Sequence, residues 1–280
     1  MTFHLNSMVT SRRTGQKTVT RLFCYHLVIF LLIQPAFNVY SKEKITLVAI
    51  DSEPIGYLQS GRAGGYYVEI FREMKRRLGD EYPSAIVLAS VPRIFNMLNN
   101  NQDGFVVSIL FSNTGISADV IQSVPVGYFY NVISSLKKRP LQLTNLEGKR
   151  LACMRGSEKS YGKKLIRLLQ DNHITLVPIT RFEQGIDMLI HDRVDGFIGP
   201  VAGVRYWADK KQVSPEQFAK PLMIGEKISK LMISVADNVD AGERKQTIDK
   251  LVQVLTEMKQ EGWIQQVFER YFLNPNQGKG

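Results

Sequence analysis

Hydrophobic positions along this chain fall into short runs separated by polar turns, and the runs alternate between two periods. Residues 44–50 form a branched-chain run, the pattern of a strand buried on both faces. A polar loop follows, Asp51-Ser52-Glu53-Pro54-Ile55-Gly56-Tyr57, and then a turn between Gly61 and Gly65. From there Tyr67, Ile70, Phe71, Met74 and Leu78 recur at helical spacing, with Gly79 as the stop. A second strand is predicted over 85–88, a short helix over 94–98 and a third strand over 104–110. The order β-loop-α-β-α-β predicts an open, mainly parallel α/β sheet.

The same order returns after Tyr130. The pattern predicts a strand over 151–154, the turn Arg155-Gly156-Ser157, a helix over 159–169 and a strand over 174–178. A helix over 182–191 and a strand over 194–198 follow, with Cys153 inside the first strand as a buried apolar residue. A further apolar run covers 231–235. An amphipathic helix over 244–261 and a second over 263–272, divided by Gly262, end the pattern. Two α/β lobes with a ligand cleft between them are the simplest architecture for this order. No internal sequence repeat, low-complexity tract or coiled-coil heptad is visible.

The start of the chain breaks this pattern. Arg12, Arg13, Lys17 and Arg21 precede an apolar block of about a dozen residues, 22–33, too short for the roughly 20 that span a bilayer. Val39-Tyr40-Ser41 supplies small residues at a cut. This is the layout of a secretory signal peptide, removed after Ser41 to leave a mature, periplasmic chain from Lys42. An uncleaved membrane anchor is the competing reading.

Export changes the reading of charge and cysteine. The chain carries 36 Lys+Arg against 26 Asp+Glu, net +10, and loss of the four basic signal residues lowers this to +6. That excess is spread out, with Lys137-Lys138-Arg139 and Lys210-Lys211 as the only runs, and both are expected to be solvated surface. It lacks the dense basic face of a nucleic-acid binder. The mature chain keeps only Cys153, so no internal disulfide is expected and stability rests on an ordinary core. His173 and His191 lack metal-ligand spacing, and no nucleophile elbow, Walker loop or dinucleotide loop is present. No cofactor, metal or catalytic residue is assigned.

Several segments together resemble the amino-acid-type periplasmic solute-binding proteins of ABC importers. They are Gly65-Tyr66-Tyr67-Val68-Glu69-Ile70 before a helix ending Arg77-Leu78-Gly79, Asp103 opening the third strand, and Leu146-Glu147-Gly148-Lys149-Arg150-Leu151. Arg155-Gly156-Ser157, Arg193-Val194-Asp195-Gly196-Phe197-Ile198, and Gly262-Trp263 through Tyr271-Phe272 complete the set. No one of them is specific; their order and spacing carry the resemblance. It implies a two-lobe, type II periplasmic-binding fold with two hinge crossings, near 132–136 and 231–235. Lobe one would take residues 42–133, lobe two 134–232, and the return to lobe one 233–280. The cleft would close on its solute by hinge bending and signal occupancy to a membrane partner.

The family's ligand chemistry does not carry over intact. Its amino-acid binders place an arginine five residues after a hydroxyl residue on the loop following the third strand. Here that loop reads Ser112-Asn113-Thr114-Gly115-Ile116-Ser117-Ala118, with Ser117 at the arginine position. The aspartate that would hold the ammonium group is replaced by Pro200. Proline offers neither charge nor donor, and serine cannot make a bidentate guanidinium–carboxylate pair. A standard α-amino acid is therefore a poor candidate for the solute.

The remaining site candidates each have a bland alternative. Asp51, Glu53 and Tyr57 lie on the loop after the first strand, where open α/β sheets bind ligands; either they hold a cationic solute or they serve turn chemistry. Ser112, Asn113 and Thr114 follow the third strand as ligand contacts or as loop caps. Arg155, Gly156 and Ser157 precede a helix whose free N–H groups suit an anion, while Ser157 is equally a helix cap. Arg93 could reach the cleft or remain on the surface. The reading that results is an exported, monomeric protein that captures a small polar solute for an ABC importer or a membrane sensor. Its rivals are a sensor accessory that binds a partner domain and a dehydratase-like enzyme on the same scaffold.

Overall fold

Ten strands and their connecting helices build the structure of this chain, a computed structural model that describes residues 42–111 and 115–273. The expected signal segment, residues 1–41, and the candidates Ser112, Asn113 and Thr114 lie outside the described residues. The first apolar run becomes β1 (Ile45–Ile50), flanked in parallel by β4 (Ser84–Ala89) and β5 (Phe105–Leu110). Helix α1 (Tyr66–Leu78) buries Tyr67, Ile70, Phe71, Met74 and Leu78, the stripe its spacing predicts. Each such aliphatic side chain contributes about 1.5–3 kcal/mol through burial. Gly79, at φ 80°, ends the helix in a conformation other residues resist. A hairpin unforeseen from the pattern, β2 (Tyr57–Gln59) and β3 (Arg62–Gly64), turns on Ser60 and Gly61, both at positive φ. Helix α2 (Val91–Asn99) then leads into β5.

The second unit repeats the arrangement. Strands β7 (Arg150–Met154), β8 (Thr175–Ile179) and β9 (Gly196–Pro200) run parallel. Between them lie α3 (Lys163–Asp171) and α4 (Phe182–Ile190). The helix expected over 159–169 is divided: Ser157–Ser160 forms a 3-10 turn, and α3 begins only after Gly162. Tyr161 stands between them in extended backbone, with its side chain buried. Cys153 is buried in β7, and burial pushes its thiol up to about 11.

Two 14-residue strands join the units. β6 (Ile121–Ser134) and β10 (Leu222–Val235) are antiparallel neighbours at the centre of one eight-stranded sheet, ordered β4-β1-β5-β10-β6-β9-β7-β8. The end of β6, Asn131 to Ser134, pairs with β9, whereas Lys230 to Val235 of β10 pairs with β5. Each strand therefore belongs to both halves and passes between them ahead of those segments. The crossings expected at 132–136 and 231–235 overlap these paired segments. Pro125, Gly127 and Gly225 masked the true strand lengths, since each weakens a strand pattern. After β10, α6 (Ala241–Gln260) and α7 (Trp263–Phe272) return to pack on α1. Tyr66 and Phe272 meet there edge-to-face at 5.4 Å.

Candidate functional site

The carboxyl ends of the strands from both halves converge on one cavity. Ile50 closes β1, Leu110 and Phe111 follow β5, Met154 closes β7, and Ile198 to Pro200 closes β9. The ligand crevices of open α/β sheets lie at this end. Val91 and Phe95 of α2 form one wall, and Tyr161 and Phe182 form the opposite one. The enclosed space is about 80 Å³. Its lining is apolar, apart from Asn131, Ser157 and the hydroxyl of Tyr161. No charged side chain lines it among the described residues.

The sequence candidates fall into three groups. Ser157 lines the cavity, and Gly156 precedes it in the turn after β7. Gly156 sits at φ 84°, and a side-chain carbon there would lie 3.2 Å from Pro92, so glycine permits both the turn and the contact with α2. Ser157 Oγ hydrogen-bonds the Tyr161 hydroxyl at 3.1 Å, and no side-chain cap is made at this turn. Arg93 and Arg155 are exposed, and neither lines the cavity. Asp51 is half-buried, donating its backbone N–H to Ala89 at 2.8 Å, and also stands outside the lining.

Glu53 and Tyr57 belong to a polar network beside the cavity. Helix α5 (Val201–Lys210) supplies three donors to Glu53: the Tyr206 hydroxyl at 2.7 Å and Lys210 Nζ at 2.5 Å reach Oε1, and Trp207 Nε1 reaches the backbone carbonyl at 2.8 Å. Burial and the Glu53 charge push the Tyr206 hydroxyl well above its ordinary pKa, so it stays a donor. Burial, followed by the Glu53 charge, raises the pKa of Tyr57, which lies close to Tyr271. Tyr271 in turn donates to Glu69 at 2.6 Å. A further bond crosses the sheet: the Phe182 N–H, an orphan donor at the start of α4, reaches Ser52 Oγ at 3.2 Å. The loop after β1 is thus tied to α4 and α5, and the Glu53 carboxylate is already partnered.

The two basic runs lie at the surface, as expected, and also make ion pairs. Lys210 pairs with Glu53, and Lys211 pairs with Asp187 at 2.7 Å and Glu183 at 3.2 Å. Lys138 and Arg139 both engage Asp192. These surface side chains also join neighbouring elements. The residues that sequence reasoning missed are apolar: Ile50, Ile55, Val91, Phe95, Phe111, Met154 and Ile198. Their signal was position, since most of them stand at the ends of strands, but they read there as core. Pro200, at the position where the resemblance implies an aspartate, is in the lining. Ser117 instead makes loop hydrogen bonds with Asp119 and Asn99.

Among the described residues, no group of three or more His, Cys, Asp or Glu side chains could hold a metal ion. No described helix is long and apolar enough to cross a membrane.

Solved structures share this architecture. A mutant of ArgBP from T. maritima matches with TM-score 0.61 and 20% identity, covering 83% of this chain and 96% of that one. The GluR0 ligand-binding core from Nostoc punctiforme, in complex with (L)-glutamate, matches with TM-score 0.60 and 15% identity, covering 82% and 99%. The BvgS VFT2 domain of Bordetella pertussis matches with TM-score 0.60 and 13% identity, covering 82% and 92%. At these identities the likeness is one of fold, the type II periplasmic-binding fold. No curated protein matches the sequence. The family profile of the bacterial extracellular solute-binding proteins, family 3, matches residues 45–274, and the chain belongs to that family.

Proposed function

We propose that this protein captures a small solute between two lobes in the periplasm and presents the closed form to a membrane partner, either an importer or a sensor. The cavity carries this reading: it lies at the strand ends of both halves, which only β6 and β10 join within the sheet. Lobe one takes the β1, β4 and β5 half with the returning helices, and lobe two the β7 to β9 half. Closure brings Glu53 to α5 and Ser52 to α4.

A thermal-shift screen over amino acids, polyamines, organic acids, sugars and neutral aromatics tests the proposal. A binder stabilises by an amount that grows with ligand concentration over Kd. Stabilisation by one chemical class, without consumption of the ligand, is expected. Turnover of the ligand would favour an enzyme. Silence across the whole panel would favour a sensor accessory that engages a partner domain, a reading to which the missing arginine and aspartate lend weight.

A further inference from the structure

We propose that the cavity selects a neutral, predominantly apolar small molecule, an aromatic ring bearing one uncharged hydrogen-bonding group, in place of a charged amino acid. The inference rests on the reading of this cavity as the solute site.

Three observations converge on it. First, the described lining holds no Asp, Glu, Lys, Arg or His. A zwitterion entering this space would lose the hydration of two ions and gain no counter-ion from the described lining, a loss that ordinary hydrogen bonds do not recover. Second, the acid beside the cavity is already committed. Glu53 accepts from Tyr206 and Lys210, so recruiting its carboxylate to a cationic solute would break both contacts.

Third, the walls are shaped by aromatic rings held from behind. Phe111 stands edge-on to Phe129 at a centroid distance of 4.9 Å, and Phe182 edge-on to Phe197 at 5.9 Å. Phe129 and Phe197 are buried, so the two cavity rings cannot swing aside freely. Fixed ring faces favour a flat apolar body by edge and face contacts. Asn131 and Ser157 are the polar side chains placed to orient a single uncharged group. The arrangement is that of a mostly apolar small-molecule pocket with a few polar anchors.

A matched series on one ring decides the matter: phenylacetamide, phenylacetate, phenethylammonium and phenylalanine, each titrated calorimetrically into the purified chain. Phenylacetamide is expected to bind at least tenfold more tightly than any charged member, equal to about 1.4 kcal/mol. Equal or tighter binding by a charged member overturns the inference and leaves the solute site standing. So does silence from all four when a polar solute stabilises the chain. Silence from every solute removes the site and the inference together.

The Val91→Lys variant locates the binding. Val91 is half-buried at the first turn of α2, where a lysine stem can lie along the wall with its head at the mouth. The phenylacetamide-to-phenylacetate affinity ratio is expected to fall at least tenfold. An unchanged ratio in a folded variant would place the ring outside this cavity and overturn the proposal.

Discussion

Replacing Tyr206 by phenylalanine removes one hydroxyl from the contact that ties the loop after β1 to α5. That hydroxyl donates to Glu53 Oε1 at 2.7 Å, in a site half withdrawn from water. A hydrogen bond to a charged acceptor contributes about 1.5–3 kcal/mol. Lys210 remains on the same oxygen, but its side chain is 43% exposed, and an exposed pair of this kind contributes only about 0–1 kcal/mol. Tyr206→Phe should therefore raise the open-to-closed ratio by about one to two powers of ten, and Lys210→Ala by less than tenfold. Spin labels on Asp80 and Lys164, both exposed and on opposite halves, would report the change as a longer, broader distance distribution. Labelling can exploit engineered cysteines, since Cys153 is buried with a raised pKa. An unchanged distribution in a folded Tyr206→Phe variant would refute the assignment of Glu53 as a latch between the halves.

Further outcomes follow from the same geometry. Gly65→Ala should destabilise the chain by at least about 2 kcal/mol in urea unfolding, because Gly65 sits at φ 117° and a side-chain carbon would fall 2.6 Å from the Ile55 carbonyl. Arg76 and then Arg77 hold the Glu73 carboxyl down to about 2, below its usual value of 4.5. The stability this gives is present above about pH 4.5 and is lost as the pH falls toward 2. Glu73→Gln should flatten that part of the acid limb in a pH series of thermal melts, and an identical limb would count against the pairing. Cys153 should resist iodoacetamide at pH 8 in the native protein and react at once in 6 M guanidinium; fast native labelling would contradict its burial.

Much of the fold was legible because its strands and helices bury faces that recur with the right period. β1 and β5 are apolar on both faces, and α1 carries its stripe from Tyr67 to Leu78. The two central strands were harder to read. β6 contains Pro125 and Gly127, and β10 contains Gly225, so local propensity argued against elements that long-range pairing enforces. Helix α5 was missed for a related reason: its buried face is Gly203, Val204, Trp207 and Ala208, a weak stripe beside β-branched and aromatic neighbours. The site was the least legible part. Polar residues near strand ends drew attention, yet Glu53 finds its partners on α5, a helix absent from the sequence reading. The apolar lining read as core, since a side chain facing a cavity and one facing a packed interior obey the same pattern. The absent clamp at Ser117 and Pro200 was the one sequence feature that pointed away from an amino acid.

The central claim is that this chain holds a small molecule between its halves. The most direct measurement is a crystal structure of the full protein grown with the best-stabilising solute of the screen. The account expects that molecule in the cavity between Phe111 and Pro200, touching side chains from both halves. A stabilising solute bound elsewhere, with the cavity walls packed against one another, would contradict it.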